Sequence, residues 1–237
     1  MTRILRLARR LLLAMLLLAL LLQASFALRL WVYQQHPPEH TAFMRAAVQR
    51  LATEHGAPVT LDYRWVPLEQ IAPSLQRAVL AAEDSRFFEH GGIDWEGLRH
   101  AWERNRDAGA PVAGGSTLTQ QLAKNLFLSG SRSYLRKGQE AAIALMAEVI
   151  LGKHRILEMY LNVAEWGDGL YGAEAAAQHY FNVSAAELSP LQAAELAARL
   201  PRPRYYAEHG VTPWLARYRQ IILARMDQIA LPPRAAP

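Results

Sequence analysis

Apolar positions along the chain follow three patterns. The first is a near-continuous run, Leu11 to Leu28, interrupted only by Gln23 and Ser25. At about 1.5 Å per residue it forms a helix of roughly 27 Å, close to the hydrocarbon thickness of a bilayer. The second is helical spacing. Thr41 to Leu51 brings Phe43, Met44, Ala47, Val48 and Leu51 near one face, and Ser74 to Ala82 does the same for Leu75, Val79 and Ala82. Further helices are predicted from Ser116, as the capping hydroxyl, to about Leu126, from Ser133 to Leu151, and from Lys153 to about Trp166. Ser189-Pro190 opens another through "LQAAELAARL", which Pro201 and Pro203 close. The third pattern is irregular. "YQQHPPEH" is a proline-stiffened connection, "VTLDYRWVPL" is the only stretch with strand character, and "RNRDAGAPVAGG" predicts a mobile loop. The periodicity therefore predicts a mainly α fold.

Charge orients the apolar run. Arg3, Arg6, Arg9 and Arg10 precede it, and Trp31 and Tyr33 follow where an interfacial aromatic belt belongs. The amino end is expected in the cytoplasm and the remainder outside. Ser25-Phe26-Ala27 resembles a signal-peptide cleavage site, but the length of the run and its aromatic flank favour a retained anchor. The chain then divides into a basic N-terminus (1–10), an anchor (11–33), a juxtamembrane segment (34–72) and one outward domain (73–237). The helix near Phe43 to Leu51 is read either as interfacial or as part of the domain core. With no cysteine, neither a disulfide framework nor a zinc–thiolate site is available. The net charge of +5 suits a polyanionic partner, and export makes nucleic acid an unsuitable one.

Four segments carry candidate chemistry. In "LAAEDSRFFEHGG" an apolar helix delivers Glu83 and Asp84 into an aromatic, glycine-flexed turn. In "GGSTLTQQLAKNLFL" Thr117, Gln121 and Lys124 share a helix face with Asn125 beside it. The glycine pair, Ser116, Thr117 and Lys124 there read as an anion cradle or as an ordinary capped helix. "RKGQE" sets Arg136, Lys137 and Glu140 at the mouth of an apolar helix, where burial is costly unless the charges are paired or functional. In "KHRILEMYLN", Glu158 and Asn162 share a face one turn after Lys153 and Arg155, an arrangement a salt-bridged amphipathic helix would also produce.

These segments, followed by Asn162-x4-Gly167-x4-Gly172 and "AAAQHYF", occur in the order found in the peptidoglycan glycosyltransferases of glycosyltransferase family 51. The chain resembles the monofunctional, membrane-anchored form from about Pro37 to Tyr206. No Ser-x-x-Lys motif of a partner transpeptidase occurs. Ser85 departs from the basic or larger polar residue of many relatives, while Phe87, His90, Gly92 and Asp94 match.

The resemblance implies a single lysozyme-like glycosyltransferase domain behind one transmembrane helix, at the bacterial inner membrane with the domain in the periplasm. It implies polymerisation of lipid II by β-1,4 linkage, with inversion and release of undecaprenyl diphosphate. Glu83 resembles the family base and Glu140 its second essential glutamate. Asp84, Ser116, Thr117, Gln121, Lys124, Asn125, Arg136 and Lys137 correspond to substrate-site positions, and His90, Glu158 and Asn162 to supporting ones. No cofactor is required, stimulation by Mg2+ or Mn2+ is a family trait, and no metal ligand set declares itself. Expected partners are lipid II, the growing glycan strand, the bilayer, and proteins of cell-wall synthesis or division. The alternatives are a muramidase or lytic transglycosylase, which needs neither anchor nor diphosphate cradle, and a non-catalytic scaffold, which needs no intact Glu83, Lys124, Arg136 and Glu140.

Overall fold

A computed structural model of the chain describes residues 2–110, 114–131 and 133–233. The apolar run forms α1 (Thr2–Tyr33), long and apolar enough to cross a membrane. Its leucines are exposed as far as Leu22. From Gln23 onward the helix changes character and seats on the domain. Gln23 and Gln139 exchange amide hydrogen bonds of 2.9 and 3.0 Å, Phe26 packs edge-on to Phe127, and Leu30 is fully buried. Arg155 Nε donates to the Tyr33 carbonyl at 2.8 Å. The last turns of the anchor are thus continuous with the domain core.

The helix predicted over 41–51 is α2 (Ala42–His55), capped by Thr41 and burying Met44, Ala47 and Leu51. That places its apolar face in the core. A two-residue strand, β1 (Asp62–Tyr63), is all that survives of the predicted strand stretch. It pairs in parallel with β3 (Leu170–Tyr171), which pairs antiparallel with β2 (Glu165–Gly167). Trp166, expected to end a helix, lies in β2 instead.

Three helices, α3 (Pro73–Glu83), α8 (Pro190–Arg199) and α10 (Pro213–Met226), pack together on one side of the core. Each begins with proline at its first position, where the missing N–H is no loss. On the other side α5 (Leu118–Phe127) lies along α6 (Tyr134–Val163). The break predicted between Leu151 and Lys153 is present: Gly152 has φ 72° and ψ 163°, outside helical space, and redirects the second half of α6. The remaining helices are α4 (Trp95–Ala108), α7 (Ala173–Phe181) and α9 (Pro203–His209).

One expectation is corrected by α4. Arg104 to Ala108, read as the start of a mobile loop, continues the helix up to Gly109, which caps it at φ 62°. Residues 111–113 of that stretch lie outside the described residues.

Candidate active site

The α3 helix is held by Leu75, Ala78, Val79 and Leu80, all buried, and ends at Glu83. The next residue fixes how Glu83 leaves it. The buried Asp84 carboxylate accepts from the Leu118 amide at 2.9 Å and bonds His90 Nε2 at 3.0 and 3.1 Å. It therefore clamps the C-terminus of α3 to the N-terminus of α5, accepting from one of the amides a helix start leaves unpaired. Asp84 and His90 form a structural pair, and Asp84 still contributes to the lining of the hollow beside Glu83.

The same bonds revise the reading of the α5 entrance. Thr117, not Ser116, is the cap: its hydroxyl accepts from Gln120 N, donates to Gly92 O at 2.6 Å, and Gln120 closes a capping box on Thr117 N. The Leu118, Gln120 and Thr117 amides are thus already bonded within the protein. An anion at this end of the site meets side-chain cations instead. Ser116 is drawn into that group, since Lys137 Nζ donates to its Oγ at 2.7 Å.

Glu83, released from the clamp, lines a hollow with Ser85, Arg86, Arg104, Gly114 and Ser116. Its Oε2 accepts from Gln121 Nε2 at 2.8 Å, and Gln121 Oε1 accepts from the Tyr160 hydroxyl at 3.1 Å. Gln121 also lines a second hollow with Phe43, Lys124, Asn125, Tyr160 and Glu165. The Glu83–Gln121 pair is therefore a septum between two openings. Although Glu83 keeps some surface exposure, burial of its carboxylate raises its pKa. The Gln121 bond and the Lys124 charge oppose this only in part, and the charge of Asp84 adds to it. Tyr160, fully enclosed beside the two acids, is pushed well above the ordinary phenol range, mainly by burial.

Opposite the acid lies a cationic group. Glu140, 2% exposed, accepts from Arg136 Nη1 at 2.7 Å and is paired with Lys137. Both its oxygens are engaged by cations, so it organises the charge of Arg136 and Lys137. Lys124 stands over the Phe43 ring, and its pKa is lowered mainly by burial, with Arg136 and Lys137 adding and Glu140 and Glu83 opposing. The site thus faces a carboxylate held partly against ionisation toward cations held close together.

Other predicted residues lie apart from this cleft. Arg155 pairs with Glu158, whose backbone carbonyl accepts from Asn162 Nδ2 at 2.8 Å. Asn162 also bonds the Val66 amide and carbonyl at 2.9 Å each. Gly172, at φ 89°, leaves no room for a Cβ, which would sit 2.9 Å from Arg64 O and 3.0 Å from Asn162 O. The Asn-x4-Gly-x4-Gly motif is accordingly architecture: it ties the end of α6 to the segment that follows β1 and to the end of β3. Two site residues escaped the sequence reading. Tyr160 sits within "KHRILEMYLN" two positions after Glu158, and Tyr218, from the far end of the chain, donates to Ala82 O at 3.1 Å. Among the described residues, no three His, Cys, Asp or Glu side chains gather into a metal-ligand set.

Comparison with known proteins finds similar sequences across most of the chain. Residues 48–227 match the family model described as Transglycosylase. The chain is 54% identical to the biosynthetic peptidoglycan transglycosylase of Janthinobacterium sp. (strain Marseille), across 91% of this chain and 93% of that protein. It is 51% identical to the protein of that name in Herminiimonas arsenicoxydans, across 94% and 96% of the two chains. It is also 51% identical to the one in Alcanivorax borkumensis, across 91% and 87%.

Proposed function

The chain belongs to the transglycosylase family, and from that premise we propose that it is a peptidoglycan glycosyltransferase that polymerises lipid II. The observation that carries the reading is the placement of Glu83: a carboxylate of raised pKa between two hollows, with Lys124 lining the second and Lys137, which shares Glu140 with Arg136, bonded to Ser116 of the first.

In this reading the acceptor sugar enters on the Glu83 side and the lipid-linked donor on the Lys124 side. Glu83 accepts the proton of the acceptor 4-hydroxyl as its oxygen attacks the donor anomeric carbon. The bond from that carbon to the diphosphate oxygen breaks, and the diphosphate leaves with the electron pair. Lys124, Arg136 and Lys137 stabilise the charge that develops there, more in the transition state than before it. One displacement on an α-linked donor gives a β-1,4 bond. Gln121 holds Glu83 in position, and Tyr160 holds Gln121.

The reading needs no resident cofactor, and stimulation by Mg2+ or Mn2+ is assigned to the substrate's diphosphate. The basic residues in the first turns of α1 would keep the amino end in the cytoplasm, which puts the domain on the periplasmic face of the inner membrane. The seating of Gln23, Phe26 and Leu30 on α5 and α6 would then hold the cleft at the level of a substrate that never leaves the bilayer. Incubation of the detergent-solubilised protein with labelled lipid II tests this. Muramidase-sensitive polymer is expected. Cleavage of preformed glycan without polymer formation would overturn the reading in favour of a hydrolase.

A further inference from the structure

A third hollow lies beyond the two that flank the Glu83–Gln121 pair. Pro201, Arg202, Tyr205, Tyr206, Thr212 and Trp214 line it, at the junction of α9 and α10. Tyr206 is buried and forms its floor, with the Trp214 ring stacked on it at an interplanar angle of 8° and a centroid distance of 5.9 Å. Tyr205, 42% exposed, and Trp214, 48% exposed, leave much of their area to solvent. Arg202 makes no ion pair with any described residue, so its donors are free at the rim.

Two features tie this hollow to the site. Pro201 lines both it and the Lys124 hollow. The ring of Tyr218, whose hydroxyl holds the Ala82 carbonyl beside Glu83, lies 4.9 Å from that of Trp214. The chemistry is that of a sugar subsite rather than of a protein–protein core. Broad aromatic surfaces meet the apolar C–H face of a pyranose ring, while Arg202 and Thr212 offer hydrogen bonds to its hydroxyl and amide rim. An apolar protein partner would leave Arg202 buried without a counter-charge.

We propose that this aromatic hollow is a glycan-binding subsite that takes β-1,4-linked N-acetylated hexosamine units of the strand leaving the Lys124 side of the cleft. That the strand is the enzyme's own growing product rests on the polymerase reading; the sugar chemistry of the hollow does not.

The test titrates the full-length, detergent-solubilised protein with chitotetraose, followed by ligand-observed NMR. Saturable binding is expected, weakened about fivefold or more by Tyr205→Ala and by Trp214→Ala and retained within about twofold by Tyr205→Phe. Trp214 packs on Tyr206, and Tyr205 packs on Tyr206 and His209, so the melting temperature of each alanine variant is measured alongside binding, with that of Tyr205→Ala expected to match the native one. In polymerisation assays at matched lipid II consumption, Tyr205→Ala gives shorter strands. Absence of saturable chitotetraose binding, or binding indifferent to both alanine variants, would overturn the subsite. Tyr205-dependent binding by a protein that makes no polymer would sink the polymerase reading and leave the sugar subsite standing. Native strand lengths in Tyr205→Ala would remove the subsite's role in elongation.

Discussion

Gln121 Nε2 donates to Glu83 Oε2 at 2.8 Å, joining the end of α3 to the middle of α5 across the cleft. This bond stabilises the ionised carboxylate and so pulls against the burial that raises its pKa. Gln121→Ala removes the bond and leaves the burial. A base must be ionised to act, so the acid limb of the pH–rate profile is expected to move to higher pH in the variant. A profile of kcat against pH measures it; an unmoved or lowered limb would mean that Gln121 does not tune Glu83.

The same burial has a stability consequence. A carboxyl whose folded pKa is raised holds its proton more tightly in the folded state. Stability therefore falls as pH rises from the unfolded value through the folded one, and the loss persists above it. Glu83→Gln removes the titration. The variant is expected to melt above the native protein at neutral pH, with the difference vanishing well below the ordinary carboxylate range. Thermal unfolding at several pH values checks this.

Glu140 and Lys137 are predicted to differ sharply in structural cost. Glu140 is enclosed and faces two cations, whereas Lys137 is partly in solvent and Glu140 keeps Arg136 without it. Glu140→Gln is expected to cost about 2–3 kcal/mol, because it leaves cationic charge uncompensated. Lys137→Met is expected to cost under about 1 kcal/mol, since an exposed partner is screened. Both slow polymer formation. Comparing melting temperatures with rates separates the two effects.

Much of this was legible in sequence. The long apolar run, the spacing in α3, and Ser189-Pro190 before α8 each rest on local rules that tertiary structure did not override. The choice of cap at α5 was also local but misread. Ser116 and Thr117 are adjacent hydroxyls, and the deciding signal was Gln120, three residues after Thr117, which completes a capping box. Polar Arg104 to Ala108 looked like a loop, yet nothing before Gly109 forbids a helix. The roles of Asp84 and Tyr218 depend on partners 34 and 136 residues away, which no periodicity encodes.

Gly172 shows how a motif that resembles a signature of chemistry can be a packing requirement. With φ at 89° and backbone oxygens of Arg64 and Asn162 within 3.0 Å of a Cβ position, Gly172→Ala is expected to lose about 2–3 kcal/mol. That corresponds to roughly 5–10 °C in melting temperature for a domain of this size. At a temperature where the variant remains folded, its kcat is expected to stay near the native value. A variant stable to heat but inactive would place Gly172 in the chemistry instead.

The central claim is that Glu83 removes the acceptor's proton. Native and Glu83→Gln proteins, each shown to be folded, are incubated with labelled lipid II, and the products are resolved by size before and after muramidase. Polymer from the native protein, with at least a hundredfold less from the variant, is the predicted result. Equal polymer from both would contradict the account and turn attention to Glu140 as the base.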